Sequence, residues 1–354
     1  LELMDRYPDY IYCASQPQMY QWMKEIYPGL YAKIKQKVQE GRINPAGAMW
    51  VESDTNIPSG ESLVRQILLG KQFFQQEFGL EINNLFLPDV FGYSAVIPQL
   101  LEKTDVKYFT TQKLSKNIIN RFPHHSFHWQ GIDGTRVLAH MLPESTYNSA
   151  SAPHSVKKVE ENFSNKDISE HALLLYGIGD GGGGPGAEHM ERLSRMKDLA
   201  GCCPVKQEKV ENFFDHIEAE SDKFPVWVGE LYLEQHQGTL TTHARNKWFN
   251  RKGEIALKDL EMISAFNLKM WNESYPADML LSTWQEFLLY QFHDILPGSS
   301  IKRVYDECVP CYEKLYGDTI KLMAAGFEKL ATNINTSGMK NPQIVFNTLN
   351  WERK

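Results

Sequence analysis

The chain has 354 residues, 42% hydrophobic and 23% charged, with a formal net charge of −7. That is globular composition, and the length suffices for two or three domains, each with its own core. No basic block offers a face for nucleic acid, and no apolar run approaches the ~18–20 residues of a membrane span, so a soluble chain with neither partner is expected.

Residues 1–7 read as the middle of a helix, and the chain closes just after a strand-like stretch, so both ends are expected to be interior to a longer protein. A short apolar strand follows at 10–13, then helix from Gln16 to Gly41, interrupted near Pro28-Gly29. Ser59 fits as the N-cap of a helix reaching Phe78 and stopped by Gly79. Strands are predicted at 84–87, 106–111, 137–142 and 172–178, and helices at 95–103, 155–163 and 187–199. Apolar strands alternating with helices point to an α/β fold, a largely parallel buried sheet or open (β/α)-type barrel.

The pattern changes beyond about residue 210. His216 sits in one helix, an apolar segment spans 226–233, and three long helical stretches follow at 245–271, 280–295 and 300–330, a three-helix bundle. Residues 335–338 read as a linker and 342–349 as β-like, the start of a further β-domain. The expected division is 1–228, 229–335 and 336–354.

Five scattered cysteines, an odd and sparse set, fit free thiols in a reducing compartment, hence the cytoplasm. Cys308 and Cys311 form a C-x-x-C pair, read as plain thiols with metal or redox use as the rival.

In α/β folds, chemistry collects where strands end. Asp89 follows strand 84–87, and Asp180 follows strand 172–178 and precedes a glycine run closed by Pro185. Two carboxylates on one rim suit acid/base or nucleophilic work on a glycosidic bond, though each can equally cap the next helix. The run also satisfies G-x-G-x-x-G, a dinucleotide fingerprint. Against that reading, Asp180 inside the loop repels a pyrophosphate, Pro185 removes a donor, and Ala200-Gly201-Cys202-Cys203 supplies no acid for a ribose. His293-Asp294 ends an apolar helix, either packed there or offering an imidazole to a metal with an open coordination position. Trp50, Trp129 and Tyr93 are candidates for stacking on sugar faces or for the core.

Leu87-Pro88-Asp89-Val90-Phe91-Gly92-Tyr93-Ser94, Gln112-Lys113-Leu114-Ser115, Gly177-Ile178-Gly179-Asp180 with its glycines, and Gln291-Phe292-His293-Asp294 resemble, in order, the motifs of glycoside hydrolase family 38, nearest its cytosolic neutral α-mannosidase branch. Gly47 to Asp54, Phe122-Pro123-His124-His125 and Gly229 to Glu234 look like further pieces of that branch. The resemblance implies a retaining, exo-acting α-mannosidase acting on mannose-containing oligosaccharides through a covalent glycosyl-enzyme, with Zn2+, or Co2+, as cofactor. It makes Asp89 the nucleophile and a metal ligand, His293 a second ligand and Asp294 a sugar contact. Lys113 matches a basic residue near the sugar, and Tyr147 and Asn148 match a Tyr-Asp pair at the substrate. The family's other two ligands belong to a His-x-Asp motif, and none of the 11 histidines here has aspartate two places on. Some branches carry Gly-Asp-Asp with the second aspartate as acid/base; here that place holds Gly181, which leaves Asp180 as the candidate. The rival functions are an inactive or carbohydrate-binding fragment with half a metal site, and a nucleotide-binding oxidoreductase using the glycine run. A homo-oligomer is compatible with either family reading.

Overall fold

Asn84, Leu85, Phe86 and Leu87 are all buried, and this run forms the strand at one end of the larger sheet. The computed structural model describes residues 1–180 and 182–353; Gly181 lies outside them. The strands are β1 (Tyr12–Ala14), β2 (Ile43–Pro45), β3 (Asn84–Leu87), β4 (Tyr108–Thr111), β5 (Ser126–Gln130), β6 (Arg136–Met141) and β7 (Val226–Val228). The helices are α1 (Glu2–Arg6), α2 (Pro17–Ile26), α3 (Pro28–Gln39), α4 (Gly60–Phe78), α5 (Ile97–Lys103), α6 (Pro153–Asn162), α7 (Ala187–Met196), α8 (Val210–Glu218), α9 (Ala244–Trp271), α10 (Ala277–Leu289) and α11 (Lys302–Thr332). None is long and apolar enough to cross a membrane. The chain divides into two units, the first made of Leu1–Asn56 and Leu63–Gly238, the second of Ile57–Ser62 and Thr239–Lys354.

The first unit is α/β. Its larger sheet runs β3-β4-β6-β5-β7, with β3, β4 and β6 parallel, β5 antiparallel to β6 and β7 parallel to β5, while β1 and β2 make a separate parallel pair. The register sets Leu87 opposite Thr111 and Thr111 opposite Met141, so β3, β4 and β6 end together and their following loops share one rim. Burial of β-rich apolar side chains drives this layer. Trp50, Trp129 and Tyr93 are at most 1% exposed and belong to the core rather than to a sugar-stacking face. The helix stop at Gly79 is as expected: its φ is +69°, the left-handed region open to glycine.

The predicted strand at 172–178 is not one. Its backbone groups are taken singly, Leu173 N–H by His140 Nε2 at 3.3 Å and Leu175 C=O by Ser149 N–H at 3.2 Å, and only isolated bridges form at Tyr176 and Ile178. An apolar run without a partner strand stays an irregular packed segment. The glycine run therefore lacks the strand that a dinucleotide fingerprint requires.

The second unit is the expected helical bundle of α9, α10 and α11. Phe249, Leu257, Leu260, Trp284, Phe287 and Tyr312 fill it, with the Phe249 and Tyr312 rings stacked at 5.9 Å. At its N-terminal piece Ser59 Oγ accepts the Ser62 N–H at 3.4 Å, the predicted cap. Residues 342–349 form no ladder among the described residues; Val345 is exposed and Phe346 lies against Phe327 of α11.

Candidate active site

Asp89 sits two residues past β3, on a loop the fold holds at several points. Tyr93 O–H donates to Leu87 C=O at 2.8 Å, closing the loop onto its own strand. The backbones of Tyr93 and Leu231 exchange hydrogen bonds at 2.8 and 3.0 Å, and Thr55 O–H donates to Gly92 C=O at 3.1 Å. Gly92 has φ +93°, a conformation that only glycine takes without strain, so the turn that presents Asp89 is written into the sequence.

Lys113 leaves the end of β4 in a short 3-10 turn, Lys113–Lys116, and is buried. Its ammonium pairs with the Asp89 carboxylate and lies 4.9 Å from the centre of the Phe91 ring. Both partners are largely shielded, so the pair is screened less than a surface one, and the ring face adds a cation–π attraction.

Tyr147 and Asn148 lie beyond β6. The Tyr147 hydroxyl is 3.3 and 3.2 Å from the two oxygens of Asp180, and the charge of the Asp89 carboxylate acts on the same phenol. Burial first, then the charges of Asp89 and Asp180, hold this phenol well above the ordinary tyrosine range, so it stays a donor. Asn148 Oδ1 accepts the Gly179 N–H at 2.5 Å, anchoring the segment that carries Asp180. Asp180 itself has φ +56°, a strained conformation for a non-glycine residue and one that occurs where a side chain must be aimed. The structure thus gathers five of the seven predicted residues, Asp89, Lys113, Tyr147, Asn148 and Asp180, within the first unit.

The other two sit in the second unit, in the turn after α10. His293 is 4% exposed, its ring 4.1 Å from that of Phe292, and its Nε2 lies 3.8 Å from Asp294 Oδ2. Asp294 is fixed from both sides: Ser299 O–H donates to Oδ1 at 2.6 Å, and Ser300 N–H and Tyr305 O–H donate to its backbone carbonyl at 3.0 and 3.1 Å. Beneath this turn, buried Gln291 donates to Asn250 Oδ1 at 2.9 Å. A buried imidazole beside a carboxylate, as His293 lies beside Asp294, is a donor pair suited to Zn2+ or Co2+.

Sequence reasoning did not anticipate the Tyr147 hydroxyl as a partner of Asp180, nor Phe91 beneath the Lys113 ammonium. The second had a signal, an aromatic two residues past Asp89; the first had none, since it depends on where two distant loops meet.

A model of the glycosyl hydrolases family 38 N-terminal domain matches residues 1–230, and one of the alpha mannosidase middle domain matches residues 234–330. Alpha-mannosidase 2C1 of Homo sapiens is 42% identical over 356 residues, covering 100% of this chain and 34% of its own. Alpha-mannosidase G of Dictyostelium discoideum is 45% identical over 312 residues, covering 88% of this chain and 29% of its own. The chain thus spans about a third of the length of these relatives. A solved alpha-mannosidase from Enterococcus faecalis V583 shares the fold with a TM-score of 0.83 at 18% identity, over 96% of this chain and 40% of that one.

Proposed function

The chain belongs to glycosyl hydrolase family 38, and we propose that it carries the catalytic machinery of a retaining, metal-assisted exo-α-mannosidase that releases terminal mannose from oligosaccharides. The observation that carries this reading is Tyr147, whose hydroxyl meets Asp180 and whose phenol also feels the charge of Asp89. Both carboxyls act on this one phenol, so both serve the same site. Retaining double displacement pairs two carboxyls at about 5–5.5 Å, whereas inversion needs a wider spacing to admit a water.

In this scheme Asp89 attacks the anomeric carbon as Asp180 delivers a proton to the departing glycosidic oxygen, and Asp180 then takes a proton from the water that frees the sugar. Lys113 holds the attacking carboxylate in place and offsets its charge. Tyr147 donates to Asp180 and steadies its charge once the proton has left. A metal ion bound by Asp89 and His293 would supply Lewis acidity toward the cis 2- and 3-hydroxyls of mannose. Asp294, Lys113, Tyr147 and Asn148 are assigned to the sugar. Free thiols at all five cysteines support a cytoplasmic setting.

Asp89→Asn in the protein that carries this chain is expected to abolish turnover of an aryl α-mannoside; near-normal turnover would remove the nucleophile assignment. Proton NMR of the first product should show α-mannose, and β-mannose appearing first would replace retention with inversion. Chelation should stop the reaction and Zn2+ or Co2+ restore it.

A further inference from the structure

We propose that Glu234 is a positioning residue of this site: its carboxylate clamps the loop that follows Lys113 and so fixes where the Lys113 ammonium meets Asp89. The proposal rests on the hydrolase reading above and adds to it a residue that touches neither the sugar nor the reacting atoms.

Three successive backbone N–H groups converge on this one side chain. Oε2 accepts from Ile118 and Ile119, both at 2.8 Å, and Oε1 accepts from the Asn120 backbone at 2.7 Å and from its Nδ2 at 2.6 Å. Convergent amides of this kind form an anion-binding concavity, here filled by the chain's own carboxylate. The grip is mutual. Asn117 Oδ1 accepts the Glu234 N–H at 2.9 Å, and Asn117 Nδ2 donates to Tyr232 C=O at 3.0 Å.

Ile118 and Ile119 are 71% and 85% exposed, so no apolar burial anchors the tip. The loop runs directly on from the 3-10 turn that begins with buried Lys113. On the other side, Glu234 lies three residues past Leu231, whose backbone pairs with Tyr93 in the Asp89 loop. One short segment, 231–234, therefore joins the loop that holds the cation to the loop that holds the carboxylate. A displacement of about 1 Å in such a pair can cost about a hundredfold in rate.

The test is a double-mutant cycle on an aryl α-mannoside with Glu234→Ala, Lys113→Ala and the pair, backed by amide hydrogen exchange over residues 113–121. Glu234→Ala is expected to lower kcat/KM by about 10- to 100-fold, to add no further loss in the Lys113→Ala background, and to strip protection from the amides of 118–120. Losses that multiply across the cycle, or amides that stay protected, would overturn the proposal. Glu234→Gln keeps one acceptor oxygen and gives a gentler variant should the alanine fail to fold; its loss should be smaller and equally dependent on Lys113. A wild-type protein without turnover would refute the hydrolase reading alone, and the exchange data would still decide for or against the clamp.

Discussion

Gly179→Ala puts a single methyl group where the site has no room for one. A Cβ at Gly179 would lie 2.6 Å from Asn148 Oδ1 and 2.6 Å from Tyr147 Cε2, with Tyr147 Cδ2 at 2.9 Å. Ordinary contact needs about 3.5–4.0 Å, so the phenol ring and the amide must each retreat by about 1 Å or the glycine segment must lift. Overpacking of this kind costs about 1–3 kcal/mol, and the Gly179-to-Asn148 hydrogen bond that yields first is worth about 1 kcal/mol more. Either relaxation pulls Tyr147 or Asp180 out of line, which should lower kcat on an aryl α-mannoside by about 10- to 100-fold with a smaller change in KM. Gly184→Ala is the matched control in the same glycine run, because a Cβ there meets nothing within 4 Å. Equal kcat values for the two variants would refute the reasoning, since the loop would then not be held by the contacts described.

Tyr147→Phe removes the hydroxyl that meets Asp180 without changing the ring, and it should reduce kcat/KM by about 10- to 100-fold, the worth of one hydrogen bond to a charged group; a change below threefold would show that the hydroxyl is idle. Gly70→Ala inside α4 would drive a Cβ to 2.1 Å from the Ala48 carbonyl oxygen, a backbone atom that cannot rotate away, so despite better helix propensity it should cost about 3 kcal/mol or prevent folding. Gly317→Ala in α11 meets open space and should be neutral or stabilising by up to about 1 kcal/mol; thermal midpoints of the two variants give the comparison. Burial pushes the His125 imidazole down to about 4, and its Nδ1 accepts the Ser164 N–H at 3.1 Å, so the folded state needs it neutral. The unfolded chain binds this proton more readily, and stability should therefore fall as pH drops from about 6.5 to about 4, by at most about 3 kcal/mol. The urea midpoint should fall less between pH 7 and pH 5 in His125→Gln than in the wild type; an identical fall in both would exclude this histidine.

Several features of the fold were legible because they are local. The burial of Asn84 to Leu87, the Ser59 cap, the Gly79 stop and the three long amphipathic helices each follow from a few adjacent residues. Strand β5 had its signal too, the polar and apolar alternation of Ser126-Phe127-His128-Trp129-Gln130, short enough to be lost between turn residues. The run 172–178 misled in the opposite direction. Apolar character says that a segment is buried, but strand identity needs a neighbour to pair with, and the backbone of this run is satisfied by His140 and Ser149 instead.

The sequence by itself determined the chemistry on offer: a carboxylate after a strand, a second in a glycine-lined loop, a lysine after the next strand and a histidine-aspartate pair closing a helix, in an order that marks the family. Tertiary structure alone decided how these groups address one another. The parallel register of β3, β4 and β6 brings the loops of Asp89, Lys113 and Tyr147 to one rim, and there a tyrosine hydroxyl meets the Asp180 carboxylate and an ammonium meets that of Asp89. Residue identity fixes which groups can donate, accept or attack, whereas hydrogen bonds and charge pairs act over about 3–4 Å, a distance that only the folded chain sets between residues far apart in sequence.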